Sequence, residues 1–138
     1  MPAAPLAGGR ALKPRRWEIW EVDLDPAKGR EQKGVRPCLV ISIDALNQSN
    51  FGTVVVCPLT TTERPSFEWR PGLVPADLAV VARGWVAEPS WVETDQIATI
   101  DVALGLGGGD TRGHLATLRN AKKQAAVSDS VRMLLGLS

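Results

Sequence analysis

The tightest constraint on this chain is the spacing of three short runs rich in β-branched, aromatic and aliphatic residues: WEIWEVDLD from Trp17, RPCLVIS from Arg36 and TVVVCPLT from Thr53. Runs of this length and composition, bounded by Pro, Gly, Asn or Asp, read as β-strands. Parallel neighbours need a crossover of about a dozen residues or more, usually a helix. The connections here are too short for that, and only Asp44, Ala45, Leu46 and Asn47 have room for one helical turn. The runs are therefore predicted to be consecutive strands of an antiparallel sheet.

Beyond Thr60 the chain turns polar and proline-spaced. TTERPSFEWRPG reads as a loop with an irregular edge strand around Phe67, Glu68 and Trp69, a candidate groove wall. LAVVARGW and SWVETDQIATI supply the remaining strands, and the glycine-rich stretch from Leu104 to Gly113 reads as a flexible connection. Leu115, Leu118, Ala125, Val127, Val131, Leu134 and Leu135 recur at helical spacing among Lys, Arg and Gln, which predicts an amphipathic C-terminal helix. The fold class is mainly β with α (α+β): a small, strongly bent sheet or barrel capped by that helix.

With 138 residues, 44% of them hydrophobic and 22% charged, the chain describes one domain with a modest core. Residues 1–16 form a Pro/Gly/Ala-rich leader with four basic residues and no acid, expected to be flexible, and residues 17–138 form the single domain. No stretch has the apolar length of a signal peptide or a membrane span, so a cytoplasmic protein without membrane contact is expected. Cys38 and Cys57 fall in apolar runs without metal-ligand or CxxC spacing and read as buried core thiols in a reducing compartment.

A net charge of +1 gives no global attraction for nucleic acid, so such binding must come from a local patch. The segment GREQKGVRPCLVIS holds one. Lys28, Arg30, Lys33 and Arg36 set four cations against Glu31, and Gly29 and Gly34 let the backbone fold over a phosphate-bearing partner. Pro37 holds Arg36 in an extended conformation at the head of a buried strand. Antiparallel pairing would bring Glu31, Gln32 and Arg36, before the second strand, towards Thr60 at the end of the third. With His114 the only histidine, histidine-based acid–base pairs, serine triads and cysteine–histidine dyads lack their usual base, and no residue set has zinc spacing; neither metal nor cofactor is expected. Read from the residues alone, Arg36 is equally an ion-pair partner for Glu31 or another loop acid, and Thr60 a strand-end cap. The five tryptophans are mostly core, with Trp69 the exception in the groove-side loop.

Taken in order, VDLDPAKGREQKGVRPCLVIS, VVVCPLTT and DQIATID resemble the MazF/PemK/Kid family of toxin endoribonucleases, from Trp17 to Ile100 and weakly into the C-terminal helix. The resemblance implies an SH3-like barrel, a homodimer, and metal-independent, sequence-specific cleavage of single-stranded RNA by 2′-hydroxyl attack. It also implies a small MazE-like antitoxin whose C-terminal segment fills the RNA groove, with DNA bound only indirectly through the toxin–antitoxin complex. Arg36 and Thr60 match the family's catalytic arginine and threonine, and Glu31 is the nearest carboxylate for the role of base. Lys28, Arg30, Gln32, Lys33, Trp69 and Gln96 are the RNA-binding candidates. Arg30 before the EQ pair and Ala98 in the DQI strand depart from the usual pattern, so the RNA motif does not transfer. A non-catalytic SH3-like binding module and a gyrase-directed toxin of the same fold are the alternatives.

Overall fold

The computed structural model describes residues 13–24, 34–102 and 111–137. Strand β1 (Glu18–Asp23) is followed by β2 (Val35–Val40), the single turn α1 (Asp44–Asn47) and β3 (Thr53–Thr60). Short strands β4 (Gly72–Leu73), β5 (Leu78–Val80), β6 (Ser90–Val92) and β7 (Ala98–Asp101) come next, then β8 (Thr111–Leu118) and helix α2 (Ala121–Leu134). The strands form one antiparallel sheet in the order β4-β6-β3-β2-β1-β8-β5, with β7 also paired to β3. The first three predicted strands pair consecutively, as their short connections required. Register shifts between β1 and β8 at Ile19/Trp20 and Glu21/Val22 kink the ladder, and such bulges increase twist and let a sheet curl. The result is a half-barrel of the expected SH3-like kind with α2 laid against it.

Both faces of the sheet are covered, which explains why the central strands are apolar without strict alternation. Ile19, Leu39, Cys57, Leu59 and Leu118 pack with Val127 and Val131 of α2 in one cluster. Their neighbours Trp20, Val22, Cys38, Val40, Val54 and Val56 point the other way and pack with Ile100 and Val102. Trp20 alone of the five tryptophans is buried; Trp17, Trp69, Trp85 and Trp91 are half-buried, so the expectation that most serve as core holds only in part.

Three other expectations are corrected. Phe67, Glu68 and Trp69 lie in successive turns rather than a strand, since Phe67 N–H bonds to Arg64 C=O and Arg70 N–H to Phe67 C=O. SWVETDQIATI divides into β6 and β7, separated by a turn in which Gln96 N–H bonds to Glu93 C=O. Gly113, read as connector, and Leu115 and Leu118, read as helix, all belong to β8, together with His114. An apolar pair three residues apart fits a short strand run as well as a helix; the boundary is set by Asn120, whose side chain accepts from the N–H groups of Lys122 and Lys123 and caps α2. Of the leader, residues 13–16 are described, and they are packed: Lys13 Nζ bonds to the carbonyls of Gln48 and Ser49, and Arg16 N–H to Asp44 Oδ1.

Candidate active site

Gly34, at φ +80°, occupies the left-handed region that a β-carbon would strain, and it turns the chain into β2. Arg36 then sits opposite Val22 of β1. On its other side the β2–β3 register, Cys38 against Pro58, carries Arg36 alongside Thr60 when continued two residues. The convergence expected of these two strand ends is therefore present.

Arg36 is anchored through one nitrogen. Its Nη2 donates to Leu59 C=O at 2.7 Å and to Glu93 Oε1 at 3.0 Å. Thr60 Oγ1 accepts from Thr62 N–H at 3.1 Å, a turn-capping bond that leaves the hydroxyl proton available to another acceptor. The strand-end cap and a phosphate-donating role thus coexist in one side chain.

Glu93 is fixed from behind. Its backbone N–H bonds to Pro58 C=O at 2.8 Å, and its Oε2 lies 3.2 Å from Arg70 Nη1. Arg70, whose side chain is 7% exposed, stacks over Phe67 at 4.6 Å and grips Asp95 with two bonds, Nε to Oδ1 at 2.6 Å and Nη2 to Oδ2 at 2.7 Å. Trp69 Nε1 and Gln96 Nε2 also donate to Asp95. The bonds from Arg70 hold the Asp95 carboxyl well below the usual carboxylate range, against its partial burial, with the Trp69 and Gln96 donors adding to the effect.

Arg36 and Thr60 form a wall shared by two hollows. A polar one of about 660 Å³ is lined also by Arg64, Arg70, Glu93 and Gln96. A smaller one of about 260 Å³ is the more apolar of the two, with Pro37, Leu78, Trp85 and Val86 set beside Thr61, Glu88 and Ser90. Of the sequence candidates, Arg36, Thr60 and Gln96 come together here. Trp69 lines neither hollow: its ring stacks on Phe67 at 5.0 Å and faces a third depression beside Ala126, Ser130 and Met133 of α2. Glu31, Lys28, Arg30, Gln32 and Lys33 lie outside the described residues.

Arg70, Glu93 and Asp95 were missed from sequence. A signal existed: Arg70-Pro71 repeats the Arg36-Pro37 mounting, and Glu93 and Asp95 are spaced two apart at a strand exit. Other reactive groups are accounted for elsewhere. Burial pushes the thiols of Cys38 and Cys57 up to about 12, which makes them inert core groups, as expected. His114 stacks on Trp20 at 5.4 Å and its Nε2 bonds to Ala116 C=O; it lines neither hollow. Among the described residues no group of three or more His, Cys, Asp or Glu is arranged to hold a metal ion.

A half-barrel with an arginine and a threonine on adjacent strand ends, and a helix across its apolar face, defines a small barrel protein with a polar cleft at those ends. The sequence profile described as "PemK-like, MazF-like toxin of type II toxin-antitoxin system" matches residues 15–131, and the chain belongs to that family. Endoribonuclease MazF9 of Mycobacterium tuberculosis is 45% identical over 51 residues, 34% of this chain and 43% of that protein. Endoribonuclease PemK of Escherichia coli is 48% identical over 46 residues, 33% of this chain and 34% of that protein. The alignments thus span less than half the length of these two curated relatives. The fold is that of a crystal structure of MazF from Deinococcus radiodurans, with a TM-score of 0.63 at 23% identity over 90% of this chain and 97% of that one. A MazE-MazF structure from the same organism superposes with a TM-score of 0.63 at 23% identity, covering 91% of this chain and 99% of that one.

Proposed function

We propose that this protein is the toxin of a type II toxin–antitoxin pair and acts as an endoribonuclease on single-stranded RNA, including mRNA. The observation that carries the reading is the Arg36–Thr60 pair on the wall between a polar and an apolar hollow. The endoribonuclease names of its relatives support the same activity.

The ribose 2′-hydroxyl attacks the adjacent phosphorus, the bond to the 5′-oxygen breaks, and the products are a 2′,3′-cyclic phosphate and a 5′-hydroxyl. The barrier lies in building charge on the non-bridging oxygens, and Arg36 meets it with N–H donors shaped for a phosphate. Its Nε and Nη1 have no other partner among the described residues. Thr60 donates its hydroxyl to the same phosphate. Glu31 is the candidate base; Asp95 suits that role poorly, because its Arg70 clamp disfavours taking up a proton. The apolar hollow with Trp85 accommodates a nucleobase next to the scissile phosphate, while Gln96 offers an amide to a base edge on the polar side.

The reading carries partners with it: a MazE-like antitoxin whose C-terminal segment fills this groove, in line with the MazE-MazF complexes of the same fold, and a second copy of the chain in a homodimer. DNA is contacted only through the antitoxin complex, and the protein works in the cytoplasm. No described helix is long and apolar enough to cross a membrane.

The test is incubation of purified protein with a long single-stranded RNA in EDTA, wild type beside Arg36→Ala, with cut ends mapped. Discrete cuts that fall at least about 100-fold in the variant are expected, the scale set by loss of a charge-stabilising donor. A 2′-deoxy sugar at the cut site should block cleavage. Intact RNA in both lanes would reject the reading in favour of a binding module; cutting of the deoxy substrate would reject the mechanism.

A further inference from the structure

The chain of ion pairs behind the site does more than neutralise buried charge. Arg70 already has a carboxylate partner in Asp95, which it holds with two bonds at 2.6 and 2.7 Å. Those bonds use Arg70 Nε and Nη2; Glu93, 13% exposed, divides its two oxygens between Arg70 Nη1 at 3.2 Å and Arg36 Nη2 at 3.0 Å, so it ties the Arg70–Asp95 clamp to Arg36. Its backbone is pinned to Pro58 of β3, the strand that carries Thr60, so its place relative to the site is set by strand pairing. The Leu59 carbonyl, 2.7 Å from the same Arg36 nitrogen, comes from that strand as well. Two acceptors thus occupy Nη2 and leave Nε and Nη1 as the edge for a ligand. A guanidinium on a flexible stem gains most from such anchoring, because a misplacement of about 1 Å in a reacting geometry costs roughly 100-fold in rate.

Resting on the ribonuclease reading, we propose that Glu93 is a positioning residue: it fixes the Arg36 guanidinium towards the scissile phosphate and is itself locked by Arg70. The arrangement has an opposing consequence. A carboxylate 3.0 Å from the guanidinium repels an incoming phosphate, so Glu93 weakens ground-state binding while aligning the transition-state donor. Alignment and affinity then move in opposite directions when the charge is removed. A purely structural role would lower both together.

The experiment compares full-length wild type, Glu93→Gln and Glu93→Asp, each checked for a cooperative thermal transition. Single-turnover cleavage of a short RNA containing the mapped cut site is measured alongside Kd for its 2′-deoxy analogue. Glu93→Gln keeps the shape and loses the charge; it should slow cleavage roughly 10- to 100-fold. Its Kd should stay level or tighten up to about tenfold on losing the nearby anion. Glu93→Asp should recover part of the rate. In parallel, the Arg36 Nε–H order parameter by NMR should fall in Glu93→Gln. Unchanged cleavage, a rate loss matched by weaker binding, or an Arg36 side chain equally ordered in both proteins would overturn the proposal. If wild type cuts no RNA, the ribonuclease reading fails on that result alone, and the Arg36 order parameter still decides whether Glu93 holds the guanidinium.

Discussion

Replacing Asp95 with Asn probes the ion-pair support of the site through stability, without any substrate. Asp95 accepts from Arg70 at 2.6 and 2.7 Å and from Trp69 at 3.1 Å. Asparagine keeps one acceptor oxygen and turns an amide donor towards a guanidinium that only donates. Breaking a fully buried ion pair costs about 3–5 kcal/mol. Here Arg70 retains Glu93 at 3.2 Å and the Asp95 side chain is 21% exposed, so solvent screening brings the expected loss at neutral pH to about 2 kcal/mol. That is a sizeable share of the roughly 5–15 kcal/mol of a typical domain. The dependence on pH has a definite sign. The Asp95 carboxyl is depressed in the fold relative to the unfolded chain, where it titrates near 3.9, so its contribution is fully present above about pH 5 and is lost as pH falls below about 4. Urea denaturation of wild type and Asp95→Asn, followed by tryptophan fluorescence, should therefore show a gap that is wide at about pH 7 and narrower at about pH 2.5. A gap under about 0.5 kcal/mol at neutral pH, or one that stays flat with pH, would refute the reasoning.

Two further outcomes concern other parts of the fold. Asn120→Ala removes the cap of α2 and the bond from Asn120 Nδ2 to Asp77 Oδ1 at 2.9 Å; a loss of about 1–2 kcal/mol in urea unfolding is expected, and an unchanged midpoint would show the helix start to be set by packing alone. Cys38 and Cys57, with thiols pushed up to about 12 by burial, should resist iodoacetamide at mildly alkaline pH until the protein unfolds. Mass spectrometry showing native alkylation would contradict that burial.

Much of the fold was legible because its strongest signals are local. The spacing of the first three strands excluded crossovers, and Pro, Gly, Asn and Asp marked their ends. The helical turn at Asp44–Asn47 and the buried cysteines followed from the same short-range pattern. β8 was obscured because its apolar residues are compatible with two periods, and its identity as a strand depends on β1 and β5, which lie far from it in sequence. The Phe67–Trp69 turn failed as a predicted strand for the converse reason: aromatic residues there pack through Arg70 onto Asp95 without entering a ladder.

For the site, the sequence by itself determined the residue types and the strand ends on which the leading pair sits: an arginine locked before proline and a threonine closing the next strand but one after β1. Pairing rules for neighbouring antiparallel strands then bring Arg36 and Thr60 together with little freedom. Only the tertiary structure decided that Glu93, Arg70 and Asp95 stand behind them, because charges 57 residues apart meet through strand pairing and turns rather than through local spacing. It also decided that Trp69 is tied to Asp95, away from the shared wall, while Trp85 lines the apolar hollow. Side-chain chemistry is written residue by residue. The direction in which a guanidinium points depends on which distant acceptors the fold sets beside it.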